Sequence, residues 1–181
     1  WLHKLTPEGR LVWNRFFNVP GFQGAVVDRE FLYTCGSGLY GHRQVECRQR
    51  AGGATDGGWS LQWTDPTNLV NGVRPMGLPV ALAVDDRYLY VADRKGHELR
   101  RLEKRTGTEA PFGKRLMIVE PVDLARGDAE RLLILTAESV LETDRDGKPL
   151  RVPLVDGLSG AVALDYDRSS RRLYVAEGGA S

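Results

Sequence analysis

A chain of 181 residues is long enough for one domain with its own core. Its 25 Lys and Arg against 24 Asp and Glu leave a net charge of +1, which argues against a dedicated nucleic-acid surface. No apolar run reaches the roughly 18–20 residues of a membrane span, and two cysteines cannot build a disulfide framework.

Taken in chain order, Leu2-His3-Lys4-Leu5 and Leu11-Val12-Trp13 flank Thr6-Pro7-Glu8-Gly9 and read as strand, turn, strand. The next strands are expected at Gly24–Val27, Phe31–Cys35, Gly41–Arg50 and Ser60–Thr64. If the second and third of these form a hairpin, Cys35 faces a residue near His42. Cys47 then lies about 13 Å away at strand rise, too far for a bond. Both are read as buried thiols. A segment unlike the rest, 64–78, follows. Strands resume at Pro79–Val84, Tyr88–Ala92 and Gly96–Arg105. Further ones are expected at Pro121–Ala125, Leu132–Thr136, Val140–Thr143, Leu150–Leu154, Gly160–Leu164 and Arg172–Ala176.

These runs repeat. Ala83-Val84-Asp85-Asp86-Arg87-Tyr88-Leu89-Tyr90-Val91-Ala92 matches Val26-Val27-Asp28-Arg29-Glu30-Phe31-Leu32-Tyr33-Thr34-Cys35 without a gap. Leu173-Tyr174-Val175-Ala176 returns it after a short insert. Gly41-His42 matches Gly96-His97. Second-strand anchors at 32, 89, 133 and 173 give steps of 57, 44 and 40. About 40–45 residues is one four-stranded propeller blade, and the long first step is accounted for by the insert. The expected fold is therefore all-β: a β-propeller of four-stranded antiparallel blades, about four blade-equivalents. The units are 1–17 combined with 160–177, 24–64, 79–116 and 121–155. Two closures stay open, a segment of a larger ring of six or so blades and a closed four-blade ring latched by the two end units. A segment would expose blade faces and self-associate.

Pro79, Leu82-Ala83-Val84-Asp85, Leu89–Asp93 and Gly96-His97 resemble the NHL repeat of six-bladed propellers. The unit at 24–50 and the one at 160–177 match it in part. The resemblance implies a fold that hosts ligand binding, scaffolding, lactone hydrolysis and lyase chemistry. It also implies that ligands meet the face carrying second-strand ends and fourth-to-first connections. There the candidates are Asp93 and Arg94, with Glu177 equivalent to Asp93, and the insert residues Asp65, Asn68, Asn71 and Arg74. Trp63 flanks them and could stack on a ligand. Long connections on rigid scaffolds often carry function.

His42 and His97, read as equivalent, and Asp85 are the metal candidates, with Ca²⁺ or Zn²⁺ as the ion. Asp28, Asp85 and Asp165 are read as turn caps after first strands, and Asp144-Arg145-Asp146-Gly147 as a turn rather than a Ca²⁺ loop. No nucleophile elbow, phosphate loop or haem motif is present. The first expectation is thus a non-enzymatic binding or scaffold module without a required cofactor, presenting its channel face to a protein, peptide or glycan. The alternatives are a metal-dependent hydrolase or lyase, lactonase-like or amidating-lyase-like, and a structural segment of a large secreted or surface protein. The start at Trp1 reads as a processed product or a piece of something longer, in an extracellular or periplasmic setting.

Overall fold

The computed structural model describes residues 2–5, 8, 10–15, 21–37, 42–49, 58–65, 67–112, 118–150 and 153–178. Every regular element among them is a strand. β1 (Leu2–Leu5) and β2 (Leu11–Arg15) pair as a two-stranded sheet. β3 (Gly21–Val27), β4 (Phe31–Ser37), β5 (Arg43–Gln49) and β6 (Trp59–Trp63) form the antiparallel blade 1. Blade 2 contains β7 (Pro79–Val84), β8 (Tyr88–Asp93) and β9 (Glu98–Glu103). Among the described residues no fourth strand follows on its outer edge. Leu102 bridges Glu109, and the Ala110 amide donates to the Arg101 carbonyl.

Blade 3 holds β10 (Asp123–Arg126), β11 (Leu132–Leu135), β12 (Ser139–Thr143) and β13 (Val155–Asp156). Its fourth strand, expected at 150–154, is regular only at 155–156, although the Leu150 and Leu154 amides do bond to β12 carbonyls. β14 (Ala161–Asp167) and β15 (Arg172–Glu177) form the inner half of blade 4. The inner strands β3, β7, β10 and β14 lie side by side in chain order, the succession a propeller requires. Among the described residues the sheets do not close into a ring: β1–β2 and β14–β15 are two separate sheets.

Three apolar clusters fill the three seams between blades. Tyr33, Cys35 and Val45 of blade 1 meet Leu82, Leu89 and Val91 of blade 2. Tyr90, Ala92 and Ala83 on the opposite face of blade 2 meet Leu124, Leu132 and Ile134. Leu133 and Leu135 then meet Leu164, Leu173 and Val175. Both faces of β4, β8 and β11, the second strands of blades 1 to 3, are buried, so these strands read as largely apolar runs, whereas β15 at the end of the array is mostly exposed. Each fully buried Leu contributes about 1.5–3 kcal/mol.

This packing corrects the repeat register in blade 3. Leu89 faces the preceding blade, and so does Leu132, whereas Leu133 faces the following one. The true anchors are 32, 89, 132 and 173. A one-residue slip exchanges the two faces of a strand. The turn Gly127–Arg131 is one residue longer than Asp85–Tyr88, with Ala129 and Glu130 in left-handed conformation, and this absorbs the difference.

The cysteines are nearer than the hairpin estimate placed them. Cys35 pairs with Val45, not with a residue near His42, so Cys47 is two positions along, diagonally across the ladder. Both thiols are free and buried in one cluster. Burial is the main cause pushing Cys35 up to about 12 and Cys47 up to about 11.

Candidate functional site

The repeated turn between first and second strands is built by its aspartate. Asp85 Oδ1 accepts the amides of Arg87 and Tyr88 at 2.7 and 2.6 Å, and Oδ2 accepts the Tyr90 hydroxyl at 2.8 Å. Asp28 does the same with Glu30, Phe31 and Tyr33. The tyrosine recurs five residues after the aspartate because its hydroxyl closes this turn. Asp165 is not part of the series. It lies inside β14 opposite Tyr174, and Asp167 caps the corresponding turn through Ser169 and Ser170.

The same acids clamp successive blades. Lys104 of blade 2 meets Asp28 of blade 1 at 2.8 Å. Arg126 and Arg145 of blade 3 approach Asp85 of blade 2 at 3.3 and 3.2 Å. Arg171 of blade 4 donates to Asp128 of blade 3 at 3.0 Å, beside the Tyr166 hydroxyl at 2.9 Å. Burial by itself would raise the carboxyls of Asp28 and Asp85. The turn amides, the tyrosine or lysine bond and the neighbouring cation outweigh it, and both are held below the ordinary value.

The 64–78 insert folds onto the seam between blades 1 and 2. Val70 and Val73 exchange backbone bonds around Asn71-Gly72, both at positive φ, as a two-residue hairpin turn. Val73 and Met76 are buried in the seam, and the Trp63 indole, also buried, donates to the Val73 carbonyl at 3.2 Å. Trp63 therefore packs instead of presenting a stacking face. Asn71 Nδ2 donates to the Thr106 carbonyl. Asp65 closes a local turn on Thr67, Asn68 is exposed, and Arg74 reaches Glu98 and Glu109, both at 3.4 Å.

Asp93 is 1% exposed, and its carboxylate accepts the amides of Gly77, Leu78 and Gly96. It fastens the insert to blade 2. Glu177 repeats this by accepting the Ser159 amide ahead of β14. Arg94 is half-buried next to Asp93. Of these candidates Arg74 borders a pocket with Glu98, Arg100 and Glu109, whereas Asp65, Asn71 and Asp93 are each engaged in the separate bonds given above.

Among the described residues, no group of three or more His, Cys, Asp or Glu side chains stands where it could hold a metal ion. Gly36 pairs with Gln44 where Asp93 pairs with Glu98, so the register counterpart of His97 is Arg43, and that of His42 is Gly96. The equivalence expected of the two histidines fails because the connection after β4 is longer. His42 Nδ1 lies 3.3 Å from Gln62, and His97 Nδ1 accepts the Glu120 amide. Asp85 has its oxygens filled by amides and a hydroxyl and faces two guanidinium groups, an environment that repels a cation. His42, His97 and Asp85 do not fit a Ca²⁺ or Zn²⁺ site.

One carboxylate stands apart. Register pairs Gly24 with Cys35, Ala81 with Ala92, Asp123 with Leu135 and Ala163 with Ala176, so these four residues share one place in successive inner strands. The place is tight: a Cβ on Gly24 would sit 2.9 Å from the Val80 carbonyl oxygen. Asp123 fits there because its carboxylate replaces apolar contact with two bonds, accepting the Leu124 amide and the Leu164 amide of the next blade, both at 2.8 Å. Burial is the main cause that raises the Asp123 carboxyl, and the charge of Asp165 adds to it. The side chain stays partly accessible. The sequence carried the signal: Pro121-Val122-Asp123-Leu124-Ala125 repeats Pro79-Val80-Ala81-Leu82-Ala83 with an acid in place of alanine.

No family model matches the chain, and no curated protein matches it. Solved structures do. A gluconolactonase from Xanthomonas campestris matches with TM-score 0.65 at 17% identity, over 97% of this chain and 62% of that one. Hydrazine synthase of Kuenenia stuttgartiensis gives 0.63 at 15% over 90% of this chain and 43% of that one. A streptogramin B lyase gives 0.61 at 13% over 91% and 50%. The class these features define is the β-propeller. Within it the chain is similar in fold to the gluconolactonase and the lyase, and it spans less than two thirds of their lengths.

Proposed function

We propose that this propeller, built on NHL-like repeats, is an enzyme of the hydrolase or lyase class that works at its channel with Asp123 as the acid–base group. One observation carries the reading. The place where three blades put Gly24, Ala81 and Ala163 holds a partly accessible carboxylate whose affinity for protons is raised. A raised carboxyl is a better base near neutrality than an ordinary one. The Leu124 and Leu164 amides fix its plane, so it can take a proton from water or from a substrate carbon without reorienting. The fold similarity to a gluconolactonase and a streptogramin B lyase supports the same classes of chemistry. Because His42, His97 and Asp85 do not fit a metal, no step is routed through one.

Lactones are the first substrates to test, by pH-stat at fixed protein concentration. Turnover should fall at least about tenfold in Asp123→Asn, with the acid limb of the wild-type profile lost. No turnover across a panel of lactones and esters, or an Asp123→Asn variant as fast as wild type, overturns the assignment. The binding-module reading retains one observation in its favour, a broad polar basin at the opposite end of the inner strands.

A further inference from the structure

The tip of the 64–78 insert is held to blade 2 by a side-chain amide. Val70 and Val73 exchange backbone bonds at 3.1 and 2.9 Å around Asn71-Gly72, and Asn71 Nδ2 donates to the Thr106 carbonyl, in the turn after β9, at 2.8 Å. We propose that Asn71-Gly72 is a site of spontaneous covalent modification, where deamidation turns this bond into a repulsive contact and frees the tip of the insert. The reaction is independent of the chemistry at Asp123.

Water is the only co-reactant. The Gly72 backbone nitrogen attacks Asn71 Cγ and closes a succinimide ring. The Cγ–Nδ2 bond breaks, and ammonia leaves with the proton of the Gly72 nitrogen. Water then opens the ring at either carbonyl, giving aspartate or isoaspartate. The four asparagines of the chain are followed by Arg15, Val19, Leu69 and Gly72, and only Gly72 has no Cβ to crowd the attacking nitrogen. Asn71 and Gly72 are both exposed, and a Cβ built on Gly72 would meet nothing within 4 Å. The ladder bonds run between Val70 and Val73, so neither of them holds the Gly72 amide.

Either product has a carboxylate where the donor was. Two acceptors then face each other at Thr106, since a carboxylate has no proton to donate. Isoaspartate also adds a methylene to the main chain, and a two-residue hairpin turn has no slack for it. The disturbance reaches the seam between blades 1 and 2, because Val73 is buried there and its carbonyl accepts the Trp63 indole at 3.2 Å. Asp93 still holds the Gly77 and Leu78 amides, so the release stops at the tip.

The test is incubation of the whole chain at pH 8, followed by intact mass and peptide mapping. A gain of one mass unit, with isoaspartate, is expected at Asn71 and not at Asn68, and Gly72→Ala should slow it. Hydrogen exchange then reads the release. In Asn71→Asp the Val70 and Val73 amides should exchange about two- to tenfold faster than in wild type, the equivalent of one lost hydrogen bond, with the Tyr90 amide unchanged. If Asn71→Asp does not fold, the aged wild-type protein, separated by charge, gives the same reading. Conversion at Asn71 in urea but none in the folded chain overturns the proposal, as does exchange at Val70 and Val73 equal to wild type after the change.

Discussion

Replacing Asp85 with alanine should be among the most damaging single changes in the chain. Its side chain is 2% exposed and accepts the Arg87 and Tyr88 amides and the Tyr90 hydroxyl, with the Arg126 and Arg145 guanidinium groups against it. The two turn amides can turn to water once the acid is gone. The tyrosine hydroxyl and the two cations cannot all do so, because they are packed in the seam between blades 2 and 3. Removing one side of a buried ion pair costs about 3–5 kcal/mol, a large share of the roughly 5–15 kcal/mol of a typical domain. Asp85→Asn keeps an acceptor for the turn and loses only the charge, so it should cost about 2–3 kcal/mol. Exposed Asp86 is the control, and Asp86→Ala should change stability by no more than about 0.5 kcal/mol. Urea unfolding followed by tryptophan fluorescence measures all three. An Asp85→Ala cost below about 1 kcal/mol, or one equal to that of Asp86→Ala, would refute the idea that this acid holds two blades together.

The pH dependence should follow from the same groups. Asp28 and Asp85 have folded-state values below the ordinary 3.8, so their contribution is present above that pH and lost as pH falls through the folded values. Asp123 is raised, so its effect is opposite: the folded state is favoured below 3.8 and loses that advantage as pH rises through the raised value. Unfolding curves of Asp28→Asn between pH 2 and 5 should show a flatter acid limb than wild type; an unchanged limb would contradict the clamp. Gly24→Ala should cost about 1–3 kcal/mol, since its Cβ would press on the Val80 carbonyl oxygen at 2.9 Å; a neutral result in denaturant unfolding would mean the inner strands separate freely. Cys35 and Cys47, held protonated by burial at about 12 and about 11, should resist a disulfide reagent at pH 8 until the chain unfolds. Labelling of the native protein at the rate of a free thiol would count against the packing of that seam.

Much of the blade plan was legible in the chain. The Asp–Tyr spacing, the alternation of apolar faces and the Gly- and Asp-rich turns are local signals, and the strands they imply are present in part or whole, except that the one expected at Leu150–Leu154 is regular only at Val155–Asp156. What misled was near-identity of short strings. Gly41-His42 and Gly96-His97 look equivalent, yet a longer connection after β4 moves them out of register. Leu133 looks like the counterpart of Leu89, yet Leu132 is. The insert at 64–78 drew attention because it broke the repeat, but Val73 and Met76 broke it in order to fill a seam. The more telling departure, Asp123 in a row of small residues, was a single substitution inside a well-kept repeat.

By itself the sequence determined that this is an all-β chain of repeated antiparallel units, because strand periodicity and turn chemistry act over a few residues. Only the tertiary structure decided which faces meet, that Asp28, Asp85 and Asp128 join blades as well as turns, and that Asp123 reaches the Leu164 amide 41 residues away. Those contacts depend on register between strands far apart in the chain, where one residue more or less in a connection exchanges the inside and outside of a blade.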